Sequence, residues 1–230
     1  MPDSGPDQSG RRPLKSRRWP VFQKLASALA NSGVTPNAIS VASVVFAIVA
    51  GGCLAATNRI EDPFLRRGFW ILSAIMIQFR LIANLMDGMV AIEGGKKSAV
   101  GDLYNEVPDR LSDPAILIGA GFAWGGCPML GLNAALVAVF VAYVRAIGAS
   151  VGVGQVFLGP FAKQQRMALM TLVCVVSAVL PMQWQPIHAS TGIGICGGAL
   201  LAIIAGGVVT AVRRLHHIAR LMRERQAGKT

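Results

Sequence analysis

The chain has 230 residues, of which 53% are hydrophobic and 14% charged, and its mean hydropathy is +0.52. A soluble domain carries about 25% charged residues, so the composition excludes an ordinary soluble, disordered or fibrous protein and predicts an integral membrane protein. The net charge is +11. This excess does not indicate a nucleic-acid partner, because Lys and Arg accumulate at the cytoplasmic ends of membrane helices and beside anionic lipid.

The N-terminal region is polar and basic. We predict a disordered basic tail over residues 1–15, and the apolar run that starts at Ala38 is too late and too long for a cleaved signal peptide. Apolar side chains then recur at spacings of three and four, at Trp19, Phe22, Leu25 and Leu29, which predicts a juxtamembrane amphipathic helix over residues 16–34. The pattern is equally typical of a helix in the membrane interface and of an ordinary surface helix.

Residues 35–212 contain six mainly apolar stretches of the length that crosses a bilayer, about 17–25 residues. They are 38–57, 68–91, 106–127, 131–153, 167–183 and 190–212. The predicted fold class is therefore an all-α membrane domain of six transmembrane helices, preceded by the amphipathic helix and followed by a basic tail over residues 213–230. The third stretch carries acids in its first half, so its start must protrude from the hydrocarbon or line a wet cavity.

The Lys and Arg residues orient this domain. With the N-terminus in the cytoplasm, the segments on the opposite side hold only Arg59, Arg66 and Arg67, whereas the cytoplasmic segments hold most of the other basic residues. The positive-inside rule therefore predicts that both termini are cytoplasmic.

The acidic residues are concentrated in one region. Six of the 11 fall within 27 residues, and residues 114–223 contain none. The six are Asp87, Glu93, Asp102, Glu106, Asp109 and Asp113. Carboxylates near hydrocarbon are retained mainly where they bind ions, move protons or pair with cations. This acidic cluster is the predicted functional site, and the topology places it on the cytoplasmic side.

Helical spacing arranges the cluster on two faces. In the second stretch one face carries Arg80, Asn84, Asp87 and Ala91. After Gly101 a second face carries Asp102, Asn105, Glu106, Asp109 and Asp113. Oxygen donors without nearby Cys or His suit Mg²⁺ or Mn²⁺ and argue against zinc. Pro108 either kinks this second helix or marks its first turn, in a helix that begins near Val107.

These two segments resemble the signature of the CDP-alcohol phosphatidyltransferase family, D-x2-D-G-x2-A-R, a spacer and G-x3-D-x3-D. The chain reads Asn84-Leu-Met-Asp87-Gly88-Met-Val-Ala91-Ile92, then eight residues, then Gly101-Asp-Leu-Tyr-Asn105-Glu-Val-Pro-Asp109. The spacing matches throughout. Three positions differ from the signature, because Asn84 and Asn105 replace its first and third Asp and Ile92 replaces its Arg.

The resemblance implies a six-helix fold with the signature at the cytoplasmic ends of helices 2 and 3, in a bacterial inner membrane. It implies transfer of a phosphatidyl group from CDP-diacylglycerol or a similar CDP-alcohol to a small alcohol, with release of CMP and with room for a homodimer. Two Mg²⁺ or Mn²⁺ ions would be held by the four signature positions Asn84, Asp87, Asn105 and Asp109, with Glu106 and Asp113 as further candidates. Asp109 would be the catalytic base. The nucleotide would lie against Gly88, Ala91 and Gly101, and the acceptor or its phosphate against Arg145, Lys163 and Arg166.

Other interpretations of the same residues remain open. Asp87 and Asp109 could pair with Arg80 or Arg110 for packing, and the two Asn could form interhelical hydrogen bonds. The matched positions offer a charge of −2 where the family offers −4, which favours a second hypothesis, a degenerate homologue that binds CDP-lipid or anionic lipid without turnover. A small transporter is a weaker hypothesis, because the acids lie at one membrane face and not at the midplane.

Overall fold

The computed structural model describes residues 19–93 and 101–228, and these residues form seven α-helices and no strand. The helices are α1 (Pro20–Asn31), α2 (Pro36–Ala56), α3 (Pro63–Glu93), α4 (Gly101–Gly121), α5 (Pro128–Ser150), α6 (Lys163–Val179) and α7 (Ile195–Ala227). The predicted all-helical fold class is confirmed. The tail over residues 1–15 lies outside the described residues.

Proline sets the start of four helices. Pro20, Pro36, Pro63 and Pro128 each occupy the first helical position, where the fixed φ suits the helix and the missing N–H would have no partner. The hydroxyl of Thr35 also caps α2 by accepting from the Ala38 N–H at 3.2 Å. The helices α2, α3 and α5 therefore begin two to five residues before the predicted spans, which followed hydropathy alone.

Four helices are long and apolar enough to cross a membrane. They are α2, α3, α5 and α7, whose best windows have mean hydropathies of 2.3, 1.6, 1.9 and 2.3. Helix α6 has 17 residues, and α4 carries the acids, so neither meets the same measure. Side chains such as Ile48, Leu136 and Val179 are exposed on the outer surface, as in an integral membrane protein. The count of six spans stays a prediction.

The helix α4 begins at Gly101, so the alternative in which it begins near Val107 is wrong. Pro108 and Pro114 both lie inside the helix. Each lacks the N–H that would bond the carbonyl four residues earlier. Because the helix continues through both prolines, Asp109 and Asp113 lie one turn apart on the same face.

The helix pair α2 and α4 crosses at two glycines. A Cβ atom at Gly119 would lie 2.6 Å from the carbonyl carbon of Gly51, and a Cβ at Gly51 would lie 3.0 Å from the carbonyl carbon of Ala115. Only residues without a side chain allow two backbones this close, which is the usual basis of tight packing between membrane helices.

The remaining helices complete the bundle. Helix α2 packs between α3 and α4, α5 packs against α4 and α7, and α6 packs against α3 and α7. The side chains between them are apolar and almost fully buried, among them Leu54, Trp70, Ile77, Ile116, Leu117, Met167, Met170, Leu200 and Ile203. Helix α7 extends without a break to Ala227, so most of the predicted basic tail is helical.

The amphipathic helix is confirmed as a helix, with the narrower bounds of α1. It packs against α3 and buries Ala26, with Phe22 and Leu29 partly buried beside it. Trp19 stays 60% exposed and stacks on Phe22 with ring centroids 5.9 Å apart. One side of α1 thus covers the domain, while an aromatic side chain projects away from it.

Candidate functional site

The polar side chains of the bundle gather at one of its ends. Successive helices run in opposite directions, so the N-terminal turns of α2, α4 and α6 meet the C-terminal turns of α3 and α5 there. Contacts across these helices bring together Ser40, Arg80, Asn84, Asp87, Glu106, Asp109, Asp113, Arg145, Lys163 and Arg166. We call this set the polar end. It contains every predicted site residue of the metal and acceptor groups whose side chain is described.

Asp109 lies at the centre of the polar end and is 8% exposed. Its Oδ1 accepts from Arg80 Nη2 at 3.0 Å, from Asn84 Nδ2 at 3.1 Å and from Lys163 Nζ at 2.5 Å. Its Oδ2 accepts from Lys163 Nζ, also at 2.5 Å. The predicted catalytic carboxylate is therefore held by side chains from α3 and α6, and the expected pairing with Arg80 is present.

Asp87 accepts hydrogen bonds from a side chain of α2 and from a backbone N–H of its own helix. Its Oδ2 accepts from the Ser40 hydroxyl at 2.8 Å, and its Oδ1 accepts from the Gly88 N–H at 2.5 Å. Both donors are neutral, so this buried carboxylate, 4% exposed, has no cation in direct contact among the described side chains. Sequence reasoning missed Ser40. The signal for it is a polar residue in the first turns of an apolar span.

Asp113 is enclosed by two guanidinium groups. Its Oδ1 accepts from Arg80 Nη2 at 2.8 Å, and its Oδ2 accepts from Arg166 Nη2 at 2.6 Å. All three side chains are nearly inaccessible. Arg166 also donates to the Phe161 carbonyl at 3.0 Å, where the backbone φ is +56°. Asp113, a candidate metal ligand by spacing, is thus the centre of a buried ion-pair triad.

Glu106 and Arg145 pair closer to the surface. Arg145 Nη2 donates to both carboxylate oxygens, at 2.6 and 2.7 Å, and Arg110 contacts the same group from one turn away. The Glu106 side chain is 44% exposed. Of the three residues predicted to hold the acceptor, Arg145 and Lys163 therefore keep access to solvent, whereas Arg166 is directed into the protein.

The predicted nucleotide contacts lie on the helix ends beside the polar end. Gly88 and Ala91 are partly buried in the last turns of α3, and Gly101 opens α4. Ile92 is 53% exposed. The side chain of Asn105 lies outside the described part of the chain, as do the side chains of Glu93 and Asp102.

The donor atoms of the polar end suit a hard cation. The oxygen donors available are the carboxylates of Asp87 and Asp109 and the amide oxygen of Asn84, which is the chemistry that Mg²⁺ and Mn²⁺ prefer. Within the described residues there is no group of three or more His, Cys, Asp or Glu side chains that could hold a metal ion. Three acids here, Glu106, Asp109 and Asp113, already contact five basic side chains. The residues present thus fit one divalent cation better than two.

Comparison with known proteins gives distant relatives. No family model matches the chain. The chain is 22% identical over 204 residues to a phosphatidylinositol phosphate synthase of Mycobacteroides abscessus, covering 86% of this chain and 83% of that protein. It is 24% identical over 160 residues to an archaetidylinositol phosphate synthase of Pyrococcus horikoshii, covering 69% of this chain and 78% of that protein.

Solved structures show the same fold. The phosphatidylinositol phosphate synthase of Mycobacterium tuberculosis, crystallised with manganese and citrate, aligns with a TM-score of 0.68 at 18% identity, over 86% of this chain and 88% of that one. The same protein with CDP-DAG bound aligns with a TM-score of 0.67 at 20% identity, over 86% of this chain and 93% of that one. At these identities the likeness establishes the fold.

Proposed function

We propose that the protein transfers a phosphatidyl group from CDP-diacylglycerol, or a similar CDP-alcohol, to the hydroxyl of a small alcohol and releases CMP. The observation that carries this proposal is the meeting of Asn84 and Asp109, the first and last signature positions, across α3 and α4, with Asp87 one turn from Asn84. The relatives named above are synthases of phosphoinositide-type lipids, and one of them binds CDP-DAG on the same fold.

The reaction needs one proton acceptor. The hydroxyl oxygen of the small alcohol attacks the phosphorus nearest the diacylglycerol. The bond from that phosphorus to the bridging oxygen breaks, and CMP leaves with the bridging oxygen. We assign the hydroxyl proton to Asp109 Oδ2. Among the described side chains this oxygen accepts one hydrogen bond, from Lys163, whereas Oδ1 accepts three. A carboxylate oxygen has two lone pairs, so Oδ2 retains one for the substrate.

The cofactor we propose is Mg²⁺ or Mn²⁺. Asp87 would hold it, with Asn105 as a further ligand. A bound divalent cation would neutralise the diphosphate and stabilise the departing CMP. The structure of a relative with manganese supports divalent-metal use.

The substrate contacts that we propose lie at the polar end and on the helix ends beside it. Gly88, Ala91 and Gly101 would leave room for the nucleotide beside the backbone, because none of them carries a large side chain. Arg145 would meet the acceptor or its phosphate, since its guanidinium keeps access to solvent and a planar guanidinium binds phosphate through two donors.

The membrane arrangement belongs to the same proposal. We propose six spans, with α4 and α6 completing the bundle, both termini in the cytoplasm and the polar end facing the cytoplasm of a bacterial inner membrane. The distribution of Lys and Arg supports this orientation. A homodimer is compatible with the apolar outer faces of the helices.

The proposal is tested by CMP release from CDP-diacylglycerol with Mn²⁺ and an acceptor panel. Asp87→Asn and Asp109→Asn should each lower the rate by about 100-fold or more, because a proton acceptor or an anionic ligand is lost. Glu61→Gln is the matched control, since Glu61 is an exposed acid at the opposite end of the bundle, and its rate should equal that of the wild type. Equal turnover by the wild type and all three variants would contradict the assignment of Asp87 and Asp109 to the site.

A second candidate function is lipid binding without turnover. It is favoured by the ion pairs of Asp109 and Asp113, which neutralise these acids without any bound cation. A degenerate homologue of this kind would still bind CDP-lipid or anionic lipid at the polar end.

A further inference from the structure

The ammonium group of Lys163 lies among oxygen atoms that could otherwise bind a metal ion. Lys163 is the first residue of α6 and its side chain reaches across to α3 and α4. Its Nζ contacts both oxygens of Asp109, at 2.5 Å each, and also the amide oxygen of Asn84. An ammonium has three N–H donors. These three oxygens accept from all three donors. The ammonium therefore has the same oxygen neighbours that a small metal cation would have at this place.

The amide at position 84 fits this arrangement better than a carboxylate would. Asn84 donates from Nδ2 to Asp109 Oδ1 at 3.1 Å while its Oδ1 accepts from Lys163. An ionised Asp at position 84 has no donor for Asp109 and would repel it. The replacement of the signature Asp by Asn84 and the position of Lys163 are therefore parts of one hydrogen-bonded unit.

The negative charge of Asp109 is also already neutralised by basic side chains. Asp109 contributes one negative charge, and Lys163 and Arg80 both contact it directly. A divalent cation between Asn84 and Asp109 would lie against a fixed ammonium and close to a fully buried guanidinium. Asp87 differs, because its direct partners among the described residues, Ser40 and the Gly88 N–H, are neutral.

We propose that the Lys163 ammonium permanently occupies one of the two cation positions that the resemblance implies, so that the protein binds a single divalent cation, on the Asp87 side. This inference rests on the proposed function, which supplies the expectation of two cations. It also changes the role of Lys163. With its three donors used inside the site, Lys163 neutralises the site and leaves the acceptor's phosphate to Arg145.

The test is a count of bound Mn²⁺ per chain, by electron paramagnetic resonance and calorimetry, on purified full-length protein without substrates. The wild type should bind one Mn²⁺. The double variant Asn84→Asp/Lys163→Met should bind two, because it restores a carboxylate and removes the ammonium. Lys163→Met by itself should bind Mn²⁺ about tenfold or more tightly, since a neighbouring positive charge is gone.

Two controls separate occupancy from general charge and from folding. Arg213→Met removes one positive charge from an exposed position on α7, and it should leave the affinity and the count unchanged. Lys163→Arg keeps the charge and should still bind one Mn²⁺. The inference is overturned if the wild type binds two ions, if the double variant binds no more than the wild type, if no protein in the series binds Mn²⁺, or if Arg213→Met matches Lys163→Met.

This experiment and the assay of the proposed function fail separately. Mn²⁺ binding is measured without CDP-diacylglycerol, so a wild type that binds one ion and never releases CMP would contradict the transferase assignment and leave the role of Lys163 supported. A wild type that releases CMP and binds two ions would do the reverse.

Discussion

Asp113 shows how a single acid can match a ligand pattern and serve packing instead. Its carboxylate bridges Arg80 of α3 and Arg166 of α6 at 2.8 and 2.6 Å, and its own exposure is 4%. A charge in such surroundings is tolerable only with hydrogen-bonded partners of opposite sign. The triad therefore joins three helices directly beneath Asp109.

We predict that Asp113→Asn destabilises the protein by about 3–5 kcal/mol, because it leaves Arg166 without its carboxylate in a buried position. The measurement is thermal unfolding in detergent. The control is Glu224→Gln, which breaks the Arg220–Glu224 pair, 2.7 Å long and well exposed, and should leave the unfolding midpoint unchanged. Equal midpoints for Asp113→Asn and the wild type would show that the triad does not stabilise the bundle.

Sequence spacing predicted the acids of the polar end and offered Arg80 as a partner of Asp109, but it did not predict the partners from α6. The positions of Asp109 and Asp113 on one helical face follow from the period of α4, and their proximity to Asn84 follows from the signature spacing. The choice between a cation and a basic side chain for each acid depends on how α3, α4 and α6 are rotated against one another. Lys163 and Arg166 come from a helix more than 50 residues away in the chain, so no local pattern reveals their contacts.

At the scale of the helices, the crossing of α2 and α4 positions the polar end. Ser40, which holds Asp87, lies about three turns along α2 from Gly51, and Asp109 lies about three turns along α4 from Gly119. The glycine contact fixes the distance between these two helices. It therefore affects the site without touching it.

We predict that Gly51→Ala destabilises the protein by about 1–3 kcal/mol, because the new methyl group would collide with the backbone of α4 at Ala115. Gly52→Ala is the matched control. A Cβ at Gly52 meets nothing within 4 Å, so the same change one residue away should be neutral or stabilising, as Ala favours helix. Thermal unfolding in detergent compares the two, and identical midpoints would contradict the close crossing.

The helix pattern was largely predictable, and its exact ends were not. Hydropathy located the apolar part of each helix from α2 to α7, yet it placed the starts of α2, α3 and α5 two to five residues inside the helix, because a proline and a capping residue there are not apolar. The sequence also allowed two positions for Pro108, inside the helix or in its first turn. The helix continues through it, so Asp109 lies on the helical face that the signature spacing predicts.

At the scale of the whole molecule, the site is a consequence of antiparallel connection. Alternating helix directions bring the polar turns of five helices to one end, while the apolar middle of each helix packs inside or faces outward. The sequence predicted this convergence through its charge distribution. It could not predict that five basic side chains would already pair with three of the acids there, because that depends on the packed bundle.

In the proposed function, this modified site catalyses transfer of the phosphatidyl group. The most direct measurement follows a label on the phosphate nearest the diacylglycerol of CDP-diacylglycerol, using purified protein, a divalent cation and a panel of acceptors that includes inositol phosphate, glycerol phosphate, serine and choline. The wild type should move the label into a new lipid and release unlabelled CMP, only when a suitable acceptor is present. Label that stays in CDP-diacylglycerol with every acceptor, or that moves only in the Asn84→Asp/Asn105→Asp variant, would contradict the proposed transfer and indicate a degenerate lipid-binding homologue.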